Sequence, residues 1–494
     1  MKENENNVGI KIEKKTIIGI GALIIGIMIF AGILTQVVPT GVYDVDANGS
    51  IINGTYHEIA REDVGYSFWR VFISPIEAFI YATSDAMTAV LIIVVITLIG
   101  GTFLILDKSG VLKYIMNVVV KKFSKKKYTL LAVMILVCMA LSSFAGIMEE
   151  SVTLVPLAVA ISLSLGWDSL VGMGFSLIAV GFGYSAATFN PFNVGIVQSM
   201  ADLPMFSGVL FRLLVFVVVY AILAGFLISY AKKIEKDPKK SLCYESDLKL
   251  RDRFLNEEET QKALSNPNMP KASKAFLYSL LAVLVVTIIC LIANIIIEDS
   301  SISSIIGYMP LASMAILFTV GGLRAGYISG IKGKSLAKSF ASGAKTILPV
   351  APVIIFIISV TYILKSGKII DTLLYWVYNL LEGVNPYVSI IIIFFVICAF
   401  EFFISSGSAK AFLLMPIFLP LVDMVGIGRQ TLIVAFCLSD GLCNMLFPTN
   451  GLLMIALGMI NLSYIKYIKS TWKLFLMELI GTIAVMLLAV AIGY

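Results

Sequence analysis

Histidine is almost missing from this chain: His57 stands alone among 494 residues, in a polar loop. With no cluster of His and Cys at metal-ligand spacing, no metal centre is expected. No nucleophile–base spacing occurs in the apolar segments either, so the chain is not read as an enzyme and no cofactor is expected. Charge is scarce too: Asp, Glu, Lys and Arg make up only 14% of the residues, against the usual quarter or so of a soluble domain. Of the six cysteines, five (Cys138, Cys290, Cys398, Cys437, Cys443) lie inside apolar segments and Cys243 sits in a charged loop. None falls in an expected outside loop, so no disulfide framework is implied.

What remains is apolar. Hydrophobic residues make up 59% of the chain, and runs such as 16–38, 275–297 and 474–491 have the length a bilayer crossing requires. The polar segment 1–15 reads as a cytoplasmic N-terminus, and the first apolar run as a retained span and not a cleaved signal. The formal charge of +6 gives no support for nucleic-acid binding, because Lys and Arg collect in alternate loops as the positive-inside rule demands. Lys108 to Lys127 mark one cytoplasmic loop. The basic, Pro-punctuated stretch 231–273 marks another and is the one obvious linker. On this reading the N-terminus lies inside and the C-terminus outside.

The polar residues that do enter the apolar regions follow a repeated plan. A first repeat, 16–230, contains the hairpin 128–166 with the tip SSFAGIMEES and then the helix 168–201 broken at TFNPFN. A linking span, 274–298, precedes a second repeat, 307–494. That repeat contains the hairpin 386–425 with the tip ISSGSAK and then the helix 430–459 broken at FPTNG. Two arms of about 18 residues each are marginal for full crossings, so both hairpins read as re-entrant. The segments FLILDKSGVLKYI (103–115) and TYILKSGKIIDTL (361–373) align between the halves. The expected fold is an all-α polytopic membrane protein of two inverted-topology repeats. It holds about nine full transmembrane helices, two re-entrant hairpins and two broken helices.

Irregular polar backbone at membrane depth is tolerated only where protein or a cavity surrounds it. Paired interruptions in two halves point to a transporter's binding site. The candidate substrate-binding residues are Ser143, Gly146, Glu149, Glu150, Ser151, Thr188, Asn190, Asn193, Ser405, Ser406, Gly407, Ser408, Lys410, Asp440, Thr449 and Asn450. Helix N-termini at the tips and after the breaks would together form an anion-receptive centre. Intramembrane charges mark pathways and relays, so Glu149, Glu150 and Asp440 are the candidates for coupling to H+ or Na+. Each has a structural alternative: Lys410 as an ion pair with Asp440 or Glu401, and Glu149 or Glu150 as a helix cap.

Through GIMEES (146–151), FNPFN (189–193), SSGSAK (405–410) and FPTN (447–450), nearly the whole chain resembles the YfcC-type carriers. These are related to the anaerobic four-carbon dicarboxylate (DcuC-like) carriers and, more distantly, to the wider ion-transporter superfamily. The resemblance implies an elevator mechanism and a homodimer. It also implies exchange of basic amino acids such as arginine and ornithine, whereas the relatives carry dicarboxylates. The superfamily's paired Ser-Asn-Thr tips are absent. Glu149 and Glu150 stand at the first tip instead, where they would repel a dianion.

The expected function is therefore secondary transport of amino acids, basic ones foremost, across a bacterial-type inner membrane by alternating access, as antiporter or ion-coupled carrier. The expected partners are a small-molecule substrate, the lipid bilayer and a second copy of the chain. The alternatives are a sodium- or proton-coupled dicarboxylate carrier with Lys410 as the anion partner, and a channel.

Overall fold

The computed structural model describes residues 14–44, 52, 54–81, 83–254, 257–296, 300–381 and 383–494. The N-terminal Lys2 and Lys11 lie outside the described residues. The chain is a polytopic helical membrane protein, with one two-residue strand pair (Gly41–Val42 with His57–Glu58) among the described residues. Ten described helices are long and apolar enough to cross a membrane. That number differs from the expected nine for physical reasons. It includes two hairpin arms, one within Val111–Ala145 and the other Gly407–Val425, and omits Ser169–Ser185, which is too short by length alone.

The site is built by nine helices: α1 (Lys127–Ala145), α2 (Val155–Ser164), α3 (Ser169–Ser185), α4 (Val209–Lys236), α5 (Pro386–Glu401), α6 (Gly407–Val425), α7 (Arg429–Leu446), α8 (Gly451–Met459) and α9 (Tyr464–Ala491). Local chemistry sets their ends. Gly146 stops α1 in the left-handed region at φ 70°, and its N–H donates to the Ser142 carbonyl at 2.8 Å, the glycine C-cap arrangement. Pro448 cannot continue a helix and biases the residue before it to extended backbone. Accordingly α7 ends at Leu446 and Phe447 is extended, at φ −88° and ψ 139°. Asn450 then starts α8 by accepting from Leu453 N at 3.0 Å. Asn190 does the same after the first break, accepting from Phe192 N at 2.9 Å with Pro191 at the first helical position, where a missing N–H costs nothing.

In each half the broken helix is flanked by the two arms of its hairpin: α3 by α1 and α2, and α7 by α5 and α6. α3 and α7 cross so closely that Gly441 rests on the Ser185 and Gly181 backbone. Beyond the breaks the halves exchange partners. Residues 191–200 dock on α6 of the second hairpin, and α8 docks on Glu149–Leu154 and α2 of the first. A separate apolar cluster joins Thr83–Lys108, Val111–Phe123, Met269–Ile296 and Ser300–Ser329, with Phe276 and Phe318 edge to face at 5.3 Å. Glycines let Gly333–Ile347 press onto it backbone to backbone at Gly100 and Gly343, the small-residue packing expected of membrane helices. The aligned segments share a detail as well: Gly110 and Lys368, at the same place in each, are both left-handed, at φ 77° and 50°.

The ends of the first hairpin lie together. Lys127 pairs with Glu235, and the Trp167 carbonyl accepts from Arg251 Nη2 at 2.7 Å, so both flanks meet the linker end of the molecule. At the opposite end, Arg429 at the start of α7 donates to the Ala201 carbonyl at 2.7 Å, and Thr431 donates to the Tyr494 carbonyl at 2.6 Å. The first hairpin therefore enters and leaves on one face, while the turn after α6 lies at the other.

Candidate functional site

Buried polar residues form a string through the second half. Lys410, on the first turn of α6, is fully buried, as is Asp440 in the middle of α7, and Glu401 at the end of α5 is 1% exposed. The Lys410 ammonium pairs with both acids, at 2.8 Å from Asp440 Oδ1, and lies 5.3 Å over the Phe436 ring. From Asp440 the string continues. Asn444 Nδ2, one turn along α7, donates to the Asp440 carbonyl at 2.9 Å and to Oδ1 at 3.3 Å, and Asn450 Nδ2 donates to Asn444 Oδ1. Buried charges persist only when paired and hydrogen-bonded. Here a single ammonium serves two carboxylates.

The first half meets that string at Glu149. Its charge and that of Asp440 are within reach of one another, and Tyr184 on α3 lies among Glu149, Asp440 and Asn190. Glu149 and Glu150 open the short helical turn before α2. The tip rests directly on the break: a methyl added at Gly146 would meet Asn190 Oδ1 at 2.7 Å and Phe192 Cδ2 at 2.6 Å. Ser143 fixes the same junction. Its hydroxyl donates to the Ala186 carbonyl at 2.6 Å, and its carbonyl accepts from Thr188 N at 3.0 Å. In the second half, a methyl at Gly407 would meet Asp440 Oδ2 at 2.6 Å.

The expected residues thus fall into groups. Glu149, Asn190, Gly407, Lys410, Asp440 and Asn450 converge. Ser143 and Thr188 knit the first tip to its break, with hydroxyls 3.1 Å apart. Ser151 bonds the Met148 carbonyl at 2.6 Å and Ser406 caps α6 by accepting from Ala409 N at 3.4 Å, which makes both local. Asn193 binds the Tyr184 carbonyl at 3.3 Å and Val194 N at 2.6 Å. No hydrogen bond of Ser405 or Ser408 places either of them in the string. Three of the helix starts carry a side-chain cap: Ser406, Asn190 and Asn450. Several buried oxygens at the junction nonetheless lack hydrogen-bond partners: Ser142 Oγ, Thr153 Oγ1, Thr449 Oγ1 and Asp440 Oδ2. Unpaired buried polar atoms are uncommon in folded proteins.

Asn444, Tyr184 and Arg212 escape the sequence reading. Arg212, buried on α4, donates to the Thr188 carbonyl at 3.3 Å, the Ser207 carbonyl at 2.8 Å and Gln430 Oε1 at 3.2 Å, tying the first break to the start of α7. An arginine inside a 28-residue apolar helix is itself a signal, and Asn444 sits one turn beyond Asp440, where side chains share a helix face.

An uncharacterized protein of Haemophilus influenzae is 27% identical over 430 residues, covering 87% of this chain and 78% of its own length. A protein of Escherichia coli K12 provisionally named as the basic amino acid antiporter YfcC is 25% identical over 387 residues, covering 77% of this chain and 74% of its own. Among solved structures, Neisseria gonorrhoeae MtrF, described as illuminating a class of antimetabolite efflux pumps, spans 96% of each chain at 18% identity with a TM-score of 0.45. The model of the C4-dicarboxylate anaerobic carrier family matches residues 18–491, and over so nearly complete a length it makes the chain a member of that membrane-carrier family.

Proposed function

We propose that this carrier moves amino acids, basic ones foremost, by alternating access, as an antiporter or an ion-coupled carrier. One observation carries the reading: at the junction of the two halves the carboxylates of Glu401 and Asp440 meet the single ammonium of Lys410, and Glu149, next to Glu150 on the first tip, lies near Asp440. Several acids in low dielectric call for added positive charge, which a cationic substrate supplies, helped by H+ or Na+ at Glu149, Glu150 or Asp440. The provisional name of the E. coli relative points the same way.

The exchanged docking of 191–200 on α6 and of α8 on α2 supports two inverted repeats in the sense of transporter folds. The division into two apolar clusters supports an elevator movement of one against the other, within a homodimer in the inner membrane. A dicarboxylate is the second reading, and the family's description favours it. Against it, the Lys410 ammonium already serves two carboxylates.

Proteoliposomes preloaded with unlabelled arginine are expected to take up labelled arginine or ornithine, and Glu149→Gln to lose that uptake. Gradient-driven succinate or fumarate uptake, retained or improved in Glu149→Gln, would sink the amino-acid reading.

A further inference from the structure

Glu478 stands apart from the polar string. It lies midway along α9, fully buried, and neither of its carboxyl oxygens has a hydrogen-bond partner. One turn further on, Thr482 is buried at 2% exposure with its hydroxyl also unpartnered. The stripe they share on α9 is otherwise apolar around them: Leu474, Phe475, Val485, Met486. Its depth is fixed by neighbours. Phe475 packs on Phe182 of α3 at 6.3 Å, and a methyl at Gly481 would meet Ile222 Cδ1, midway along α4, at 2.7 Å. The carboxyl is therefore near the middle of the membrane-spanning layer. α9 packs on α4, α5, α7 and α8. The acidic, basic and thiol groups within the apolar parts of those helices are Arg212, Cys398, Glu401, Cys437, Asp440 and Cys443. None of them is hydrogen-bonded to the Glu478 carboxyl.

An ionised carboxylate in such a place would lack cation and donor from the protein, a cost of many kcal/mol that proteins avoid by keeping the acid neutral. A structural role would call for hydrogen bonds, and there are none. We propose that Glu478 is a proton-binding site of the transport cycle, distinct from the polar string and occupied in this closed arrangement. When the packing of α9 against α4 and α7 opens to water, the O–H bond breaks, the carboxylate keeps the electron pair and the proton passes to water as hydronium. Rebinding restores the closed packing. The inference rests on the carrier reading above and deepens it by naming the coupling ion.

The test uses purified full-length protein in liposomes, read by infrared difference spectroscopy at neutral pH. Wild type is expected to show a protonated-carboxyl carbonyl band that Glu478→Gln removes and Glu478→Asp moves. The aspartate variant assigns the band should the glutamine variant not fold. On transfer to D2O the band is expected to shift as the site exchanges with water. Unchanged spectra in both variants, or a band that never shifts, would overturn the proposal. In the same vesicles an imposed pH gradient should drive arginine accumulation in wild type and fail to do so in Glu478→Gln, while arginine exchange persists. Gradient-driven accumulation unaffected by Glu478→Gln would also overturn it. Absence of arginine transport in wild type counts against the substrate reading alone, because the infrared measurement needs no substrate.

Discussion

At the scale of single residues, Lys410 holds the second half's site together. It is the one cation between two buried acids. Removing one partner of such a group strands uncompensated charge, a loss of about 3–5 kcal/mol. Lys410→Met is therefore expected to unfold well below wild type in a thermal scan of the purified protein. The triple variant Lys410→Met, Glu401→Gln, Asp440→Asn should recover much of that loss, since it removes the stranded charges together with the ammonium. A single variant as stable as wild type would show that the ion pairs contribute nothing. Lys410, Asp440 and Glu149 were legible in the sequence because charge is so rare in it. The sequence left the pairing open between Asp440 and Glu401, which stand 39 positions apart; the packing of α5, α6 and α7 brings both acids to Lys410 at once. Tyr184 was hidden for the opposite reason, since a tyrosine in an apolar run gives no signal until its neighbours are known.

At the scale of elements, the start of α3 is fastened to the linker by two acids. Asp168 caps α3 through Val171 N at 2.9 Å and accepts from Ser241 Oγ at 2.6 Å and Tyr230 OH at 2.7 Å; Asp247, on Tyr244–Phe254, accepts from Ser169 N at 2.8 Å. Burial, reinforced by the neighbouring Asp168, pushes the Asp247 carboxyl up to about 7. Burial likewise raises Asp168, against the pull of its hydrogen bonds and of Arg251. A carboxyl raised on folding favours the folded state while it is protonated. That contribution is complete below the unfolded value near 4 and disappears as pH rises through the folded one. Wild-type thermal stability should therefore fall relative to Asp247→Asn as pH rises through about 7; parallel curves across that range would refute the assignment. The caps and breaks of the hairpins were readable from Asn-Pro, Gly and Ser placements. This fastening was not, because the linker reads as a solvated basic loop and its buried face appears only on folding.

At the scale of the whole molecule, the two ends differ in what they gather. One end collects the turn at Ala201, the start of α7 at Arg429 and the Tyr494 carbonyl; the other collects Lys127, Glu235, Arg251 and the linker. The basic linker belongs to the second, and the positive-inside rule leads us to expect that end in the cytoplasm. The sequence made this alternation legible as charge, and the folded chain brings loops distant in sequence to the same ends, something charge alone does not require. Asp202 is 92% exposed at the first end, and Ser265 is exposed in the linker. In cells carrying Cys398→Ser, a membrane-impermeant maleimide should label Asp202→Cys from outside and label Ser265→Cys only after permeabilisation. The reverse pattern would turn the molecule over and with it the direction in which each hairpin enters. Labelling of both sites from one side would break the opposition of the two ends, and the inverted-repeat reading would fall with it.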